Sequence, residues 1–266
     1  MATYEEMARA FGIDTDALPD RLKTTHLIAI AESLGVDVDS LPDRLLTTLL
    51  AAIGENASSG GSGSGDSLEG VFDDTATEVS LPNITSLRDS AFVGCKALVT
   101  VNAPKLTIIN NYAFQYCTNL ALTSLPNGLT SIGSNAFDNC TNLALTSLPE
   151  GLTSIGNNAF QYCSSLALTS LPEGLTSIGN YAFRYCANLA LTSLPKGITS
   201  IGNYGLGYCD GLKTITFNGT PTTINANAFK GCGNLKTINV PWAEGAVANA
   251  PWGATNATIN YNYTEG

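Results

Sequence analysis

Apolar residues recur along this chain at a fixed interval. In one interval they are Leu148, Leu152, Ile155, Phe160 and Cys163, and Thr, Ser, Asn and Gly lie between them. The cysteines mark the period, since they are separated by one step of 22 residues and five steps of 23: Cys95, Cys117, Cys140, Cys163, Cys186, Cys209 and Cys232. A period of roughly 20–50 residues indicates a repeat architecture and takes precedence over every shorter motif.

Each interval predicts one coil of a solenoid. It holds two short Thr/Ser/Leu/Ile segments joined by a Leu-Pro-x-Gly turn, and a second turn that leads into Ala-Phe-x-x-Cys. Such segments predict strands, and their Gly and Pro residues predict turns. One coil cannot bury its apolar residues alone, so the coils are expected to stack about 4.8 Å apart. The predicted fold is a mainly β and irregular solenoid of about seven coils.

The spacing Ile-Gly-x-x-Ala-Phe-x-x-Cys-x-x-Leu, found over residues 79–240, resembles the BspA-like class of leucine-rich repeats of bacterial and microbial surface proteins. The resemblance implies an adhesin or recognition surface, with no cofactor, no metal and no catalytic centre. It supplies no binding residues, because the family has no universal ones.

Composition changes divide the chain into regions. We predict a small all-α module at 1–56, a Gly/Ser linker at 57–66, the solenoid at 67–240 and a C-terminal cap at 241–266 that contains both tryptophans. A solenoid needs such caps because its terminal coils otherwise expose core and strand edges.

The N-terminal module carries its own repeat, 12–25 against 35–48. Capping-box patterns and first-turn prolines predict three helices, near 3–11, 18–34 and 41–53. A module of this length has only a marginal core. We therefore expect it to attach to a partner or to form a homo-oligomer or larger assembly. A free-standing helical bundle is the alternative.

Two departures from the repeat leave alternatives open. In four coils a leucine comes one residue early: Leu122, Leu145, Leu168 and Leu191. Because strand side chains alternate between faces, these leucines form either an exposed stripe or, through a local bulge, part of the core. Gly205-Leu206 replaces Ala-Phe in one coil, which indicates local repacking or, alternatively, a kink or ligand notch.

The sequence favours binding over catalysis. The cysteines are predicted to be buried free thiols, because one cysteine per coil forms neither a Cys-x-x-Cys pair nor a zinc site. The only histidine, His26, lies in the helical module, so the solenoid lacks a nucleophile–base pair.

Tyrosines are the candidate binding residues. They form two rows beside the second turn, one preceding Ala-Phe (or Gly-Leu) and one preceding the repeat cysteine: Tyr112, Tyr181 and Tyr204, and Tyr116, Tyr162, Tyr185 and Tyr208. Exposed tyrosines give large contact areas at low entropic cost and stack on sugars or peptides. The alternative is that the rings only pack between coils.

The net charge of −10 disfavours nucleic acid, and no run of eighteen apolar residues predicts membrane insertion. The acidic start of the chain does not read as a signal peptide. We expect an extracellular, non-enzymatic adhesion module on a cell surface, which binds a host or bacterial surface protein or glycan through the solenoid. The alternatives are a phage virion receptor-binding protein attached by its helical module, and a structural spacer without a ligand.

Overall fold

The computed structural model describes residues 77–81 and 83–264. These residues form a parallel β-solenoid of short strands without helices: β1 Glu78–Ser80, β2 Ser86–Leu87, β3 Thr100–Asn102, β4 Ile108–Ile109, β5 Ser131–Ile132, β6 Ser154–Ile155, β7 Ser177–Ile178, β8 Ser193–Leu194, β9 Ser200–Ile201, β10 Thr214–Phe217, β11 Thr223–Ile224, β12 Thr237–Asn239 and β13 Thr258–Asn260. The predicted solenoid is confirmed, with about eight turns. The predicted all-α module, the whole predicted linker and residues 67–76 lie outside the described residues. Within the described residues, no helix is long and apolar enough to cross a membrane.

One continuous sheet runs along the solenoid. Its seven strands lie in the order β2-β4-β5-β6-β7-β9-β11, and each comes from the segment after the Leu-Pro-x-Gly turn or its equivalent. All pairs are parallel and in register, as in Ser131 against Ser154 and Ile132 against Ile155. The isoleucines are buried while the serines lie toward the surface, as strand alternation requires.

The sheet on the other side is interrupted. A two-stranded piece, β1-β3, and a four-stranded piece, β8-β10-β12-β13, are separated by coils that have no strand there. The interruption covers the coils of three early leucines, Leu122, Leu145 and Leu168, whereas the coil of Leu191 contains β8. Neighbouring coils within the interruption are joined by hydrogen bonds such as that from the Ala167 N–H to the Leu145 carbonyl, at 3.0 Å.

The exposed leucine stripe does not form. Leu145, Leu168 and Leu191 are fully buried, and Leu122 is partly buried against the core. Strict alternation would have turned these side chains outward, but the backbone here leaves the extended ladder and so returns them to the core.

Stacked side chains fill the core. The rings of Phe92, Phe114, Phe137, Phe160 and Phe183 form a ladder with centroids 5.2–5.4 Å apart. Leu206 continues the column, and both it and Gly205 are buried, so this departure is a local repacking and not a notch.

The cysteines are free and buried, as predicted. From the second coil onward each thiol donates to the carbonyl of the core Phe or Leu of the preceding coil at 2.9–3.0 Å, which satisfies a buried acceptor.

The Ile-Gly glycines permit the coils to approach. A Cβ on Gly156 would lie 2.5 Å from the Ser134 nitrogen and 2.6 Å from the Gly133 carbonyl carbon, both of which are backbone atoms. Glycine is needed here for space, since its φ is not positive.

Aromatic side chains cover the C-terminal end. Trp242 and Trp252 are buried with ring centroids 6.3 Å apart, and Phe217 packs edge-on against Trp242 at 5.2 Å. The Trp252 carbonyl accepts the Phe229 N–H at 2.9 Å, as the Ala182 carbonyl accepts the Phe160 N–H within the repeats. Residues near 250 therefore continue this series of hydrogen bonds between coils past the last repeat.

Candidate functional site

The second turn of each coil fixes the direction of the tyrosines. Backbone bonds join this turn to the same turn in the next coil, as from the Tyr181 N–H to the Asn203 carbonyl at 2.8 Å and from the Tyr185 N–H to the Gly207 carbonyl at 3.0 Å. Equivalent side chains are therefore stacked along the solenoid. The seven candidate tyrosines together are called the tyrosine face.

All seven tyrosines have a left-handed backbone, with φ between 51° and 63°. This conformation disfavours a residue with a Cβ by roughly 1–2 kcal/mol, and Gly or Asn adopts it most readily. Most equivalent positions of other coils with this backbone hold Gly or Asn, namely Gly94, Asn135, Asn139, Asn158 and Gly231, and one holds Ser90. Tyrosine thus occupies places that the backbone alone would give to Asn or Gly, so the rings must contribute something that offsets this strain.

Part of that contribution is packing. Tyr185 lies 4.8 Å from Tyr162 and 4.6 Å from Tyr208, and Tyr181 lies 5.5 Å from Tyr204, all with nearly parallel rings. Tyr181, Tyr185, Tyr204 and Tyr208 are only partly exposed. Packing between coils, the alternative to binding, therefore explains the positions of these four rings.

A cation lies among them. The Arg184 guanidinium carbon is 4.6 Å from the Tyr185 centroid and within 5.4 Å of the centroids of Tyr181, Tyr204 and Tyr208. Its Nη2 donates to the Tyr185 hydroxyl at 3.3 Å, while its buried Nε has no hydrogen-bond partner among the described residues. Cation–π attraction thus adds to ring stacking at this end of the face.

The other end is open. Tyr112, Tyr116 and Tyr162 are 41%, 46% and 38% exposed, and they flank the coil in which Asn135 and Asn139 occupy both tyrosine positions. Within 77–81 and 83–264, neither Tyr112 nor Tyr116 stacks on another ring. Ring packing therefore does not account for Tyr112 and Tyr116, and it covers only one face of Tyr162.

A buried carboxyl lies in the asparagine coil. Asp138 accepts from the Gln115 amide and from the Asn139 amide, each at 3.0 Å. Burial raises the pKa of Asp138, and the two amide hydrogen bonds partly oppose that shift. This group was not identified from the sequence, where it resembles the exposed acids of other turns.

A groove of mixed polar and apolar lining lies beside the Ser-Ile sheet and includes Asn180, the residue before Tyr181. It has a volume of about 470 Å³ and is lined by Asn157, Ser177, Ile178, Gly179, Asn180, Ser200, Ile201, Gly202, Thr223, Ile224, Asn225 and Asn249. The Asn157 and Asn180 Oδ1 atoms accept the Asn180 and Asn203 N–H groups at 2.8 Å. The sequence signal for this groove is the Gly-Asn that follows Ser-Ile in three coils, at 156–157, 179–180 and 202–203, a pattern that by itself predicts only a turn.

The metal-binding capacity of the described residues is limited by the placement of their ligand side chains. No three His, Cys, Asp or Glu side chains there are grouped to hold a metal. Burial raises the pKa of the thiols, to about 11 for Cys232 and well above the usual range for Cys163, so they are poor nucleophiles and ligands.

Sequence comparison assigns the family. The BspA type leucine-rich repeat region matches in six copies over residues 69–190 and 139–246. These matches span more than half of the chain. The chain belongs to this family.

The chain is also similar to solved structures of leucine-rich repeat proteins. A leucine-rich repeat protein of T. pallidum, TpLRR, is 31% identical with a TM-score of 0.53, and the match covers 61% of this chain and 79% of that one. A leucine-rich repeat protein of Bacteroides ovatus is 21% identical over 70% of this chain and 61% of its own, with a TM-score of 0.44. A leucine-rich cell surface protein of Faecalibacterium prausnitzii is 23% identical over 71% and 79%, with a TM-score of 0.27. No curated protein matches the chain.

Proposed function

We propose that this BspA-type solenoid is a non-enzymatic recognition module that binds a macromolecular partner through the tyrosine face. The observation that carries the proposal is the left-handed backbone of all seven tyrosines, three of which are also more than a third exposed. Strained positions persist where the side chain has a role that the backbone preference does not supply.

The remaining features of the face are consistent with partner binding. Tyrosine and arginine are enriched where binding energy concentrates, and Arg184 is held rigid between four rings. A rigid aromatic surface loses little conformational entropy when a partner binds. The repeat family and the name of the Faecalibacterium protein support a location at a bacterial surface.

A triple substitution tests the proposal. Tyr162→Asn, Tyr181→Asn and Tyr185→Asn remove rings but keep a residue that tolerates the left-handed backbone, as Asn139 and Asn158 do. The full chain is screened on arrays of purified extracellular-matrix proteins and oligosaccharides, and the affinity for each hit is then measured for both chains. We expect binding to weaken at least about tenfold, since single buried aromatic anchors are commonly worth that much.

The matched control changes three exposed threonines on the interrupted-sheet side to Asn: Thr146, Thr169 and Thr192. This control is expected to bind as the wild type does. Equal binding by the tyrosine variant would refute the proposal, and a wild-type chain that binds nothing would favour the spacer. The virion alternative stays a hypothesis.

A further inference from the structure

The second tyrosine row contains a gap one ring wide. In coil order its positions hold Gly94, Tyr116, Asn139, Tyr162, Tyr185, Tyr208 and Gly231, all with a left-handed backbone. Neighbouring rings in the row stand 4.6–4.8 Å apart. Tyr116 and Tyr162 are separated by two such steps, because Asn139 takes the place of the intervening ring. Rings stack with centroids about 4.5–7 Å apart, so this gap accepts one more ring.

Within this row, the tyrosines beside the gap are the most exposed. Tyr116 and Tyr162 border it and are 46% and 38% exposed, whereas Tyr185 and Tyr208, further along the same row, are partly buried. Tyr112, which is 41% exposed, lies on the same side of the asparagine coil as Tyr116. The exposed tyrosine surface of the repeats is thus concentrated at this one place.

The floor of the gap carries hydrogen-bonding groups. Asp138 and Asn139 are joined by a 3.0 Å bond, and the Gln115 amide donates to the second Asp138 oxygen at 3.0 Å. The Gln161 side chain lies in the coil beyond and makes no hydrogen bond within the described part of the chain. The floor therefore offers amide donors and acceptors, while the Asp138 carboxyl there is buried and already accepts two amide hydrogen bonds.

We propose that this gap is a monosaccharide subsite, which takes the pyranose ring of an uncharged sugar between Tyr116 and Tyr162. The apolar C–H faces of a pyranose stack on aromatic rings, and its equatorial hydroxyls can form hydrogen bonds with the half-exposed amides of Asn139 and Gln161. Asp138 disfavours a uronic or sialic acid at this position, because two carboxylates would repel one another. An aromatic side chain of a protein partner would fit between the rings but would give the Gln161 amide no hydrogen-bond partner.

The subsite rests on the proposed recognition function and names one of its ligand classes. The decisive variant is Asn139→Tyr, which fills the gap with the row's own ring. It should fold normally, because tyrosine already adopts this backbone at the equivalent positions of four coils. The matched control is Ser90→Tyr, which adds a tyrosine to a left-handed position of the first row, two coils away.

Saturation-transfer NMR on the full chain provides the assay. The probes are the methyl β-glycosides of glucose, galactose and N-acetylglucosamine, with methyl β-glucuronide and N-acetylphenylalanine amide for comparison. We expect transfer to the ring C–H protons of at least one neutral glycoside. That signal should fall at least about fivefold in Asn139→Tyr and in Tyr162→Asn, and should be unchanged in Ser90→Tyr.

Three outcomes would overturn the subsite: no transfer to any neutral glycoside, transfer that survives Asn139→Tyr, or transfer only to the glucuronide or the aromatic amide. The experiments distinguish a wrong subsite from a wrong recognition function. If Asn139→Tyr keeps the macromolecular partner that the triple tyrosine variant loses, the tyrosine face binds that partner without this subsite.

Discussion

The contact between coils at the Ile-Gly glycines gives a sharp stability prediction. Gly156→Ala adds one methyl group where the nearest atoms are the Ser134 nitrogen at 2.5 Å and the Gly133 carbonyl carbon and oxygen at 2.6 and 2.8 Å. Gly151→Ala is the same change in the same coil, but its nearest atom is the Leu129 carbonyl oxygen at 3.6 Å, an ordinary contact.

The size of the effect follows from what must move. To bring the added methyl group to an ordinary contact distance, the neighbouring backbone must shift by about 1 Å. The atoms that it meets are backbone atoms, so no flexible side chain can move aside instead. That shift stretches inter-coil bonds such as those from the Gly156 N–H to the Ile132 carbonyl, 3.0 Å, and from the Gly133 N–H to the Ile109 carbonyl, 2.8 Å. Two weakened hydrogen bonds at about 1 kcal/mol each, together with overpacking, suggest a loss of about 2–4 kcal/mol.

Urea unfolding followed by circular dichroism measures both variants of the full chain. We expect Gly156→Ala to lose about 2–4 kcal/mol, whereas Gly151→Ala should stay within about 0.5 kcal/mol of the wild type or gain slightly from a stiffer unfolded chain. Equal losses in the two variants would refute the close-approach explanation. A large loss in Gly151→Ala alone would also contradict that explanation, because Gly151 has the wider space.

Three further predictions concern the core and its buried groups. Phe160→Ala removes a fully buried ring that stacks on Phe137 and Phe183, and urea unfolding should show a loss of about 3–5 kcal/mol; a loss under 1 kcal/mol would mean that the ladder is not tightly packed. A thiol-reactive chromophore at pH 8 should label the native chain slowly and all seven cysteines after denaturation, because burial raises the pKa of Cys163 and its equivalents; rapid labelling of native chain would contradict this. Burial also raises the pKa of Asp138, so its stabilising contribution is present below the unfolded pKa of about 3.9 and is lost as the pH rises through the folded pKa. The melting temperature of the wild type relative to Asp138→Asn should therefore fall from pH 4 towards neutrality, and a constant difference would contradict the assignment.

Much of the fold could be predicted because it depends on residues that recur in register. The 23-residue period places equivalent residues side by side, so the Phe ladder and the buried cysteines follow from burying a pattern that one coil cannot bury alone. Parallel pairing of the Ser-Ile segments follows as well, since identical coils stack without reversing direction.

The candidate site could be predicted only as a set of residues. The tyrosine rows were identified from their spacing, but their left-handed backbone and their division into a packed and an open part were not. The division depends on which residue stands at the same position one coil away, as Asn139 does between Tyr116 and Tyr162, whereas the left-handed backbone belongs to the turn that every coil shares.

The sequence by itself therefore determined the coil, the period and the residues that form each column. Only the tertiary structure decided where the columns break: the early leucines, such as Leu145, turn inward because the backbone leaves the strand ladder, and Asp138 becomes buried because amides from two coils enclose it. Alternation and spacing are properties of one segment, whereas burial depends on contacts between segments that are some 23 residues apart.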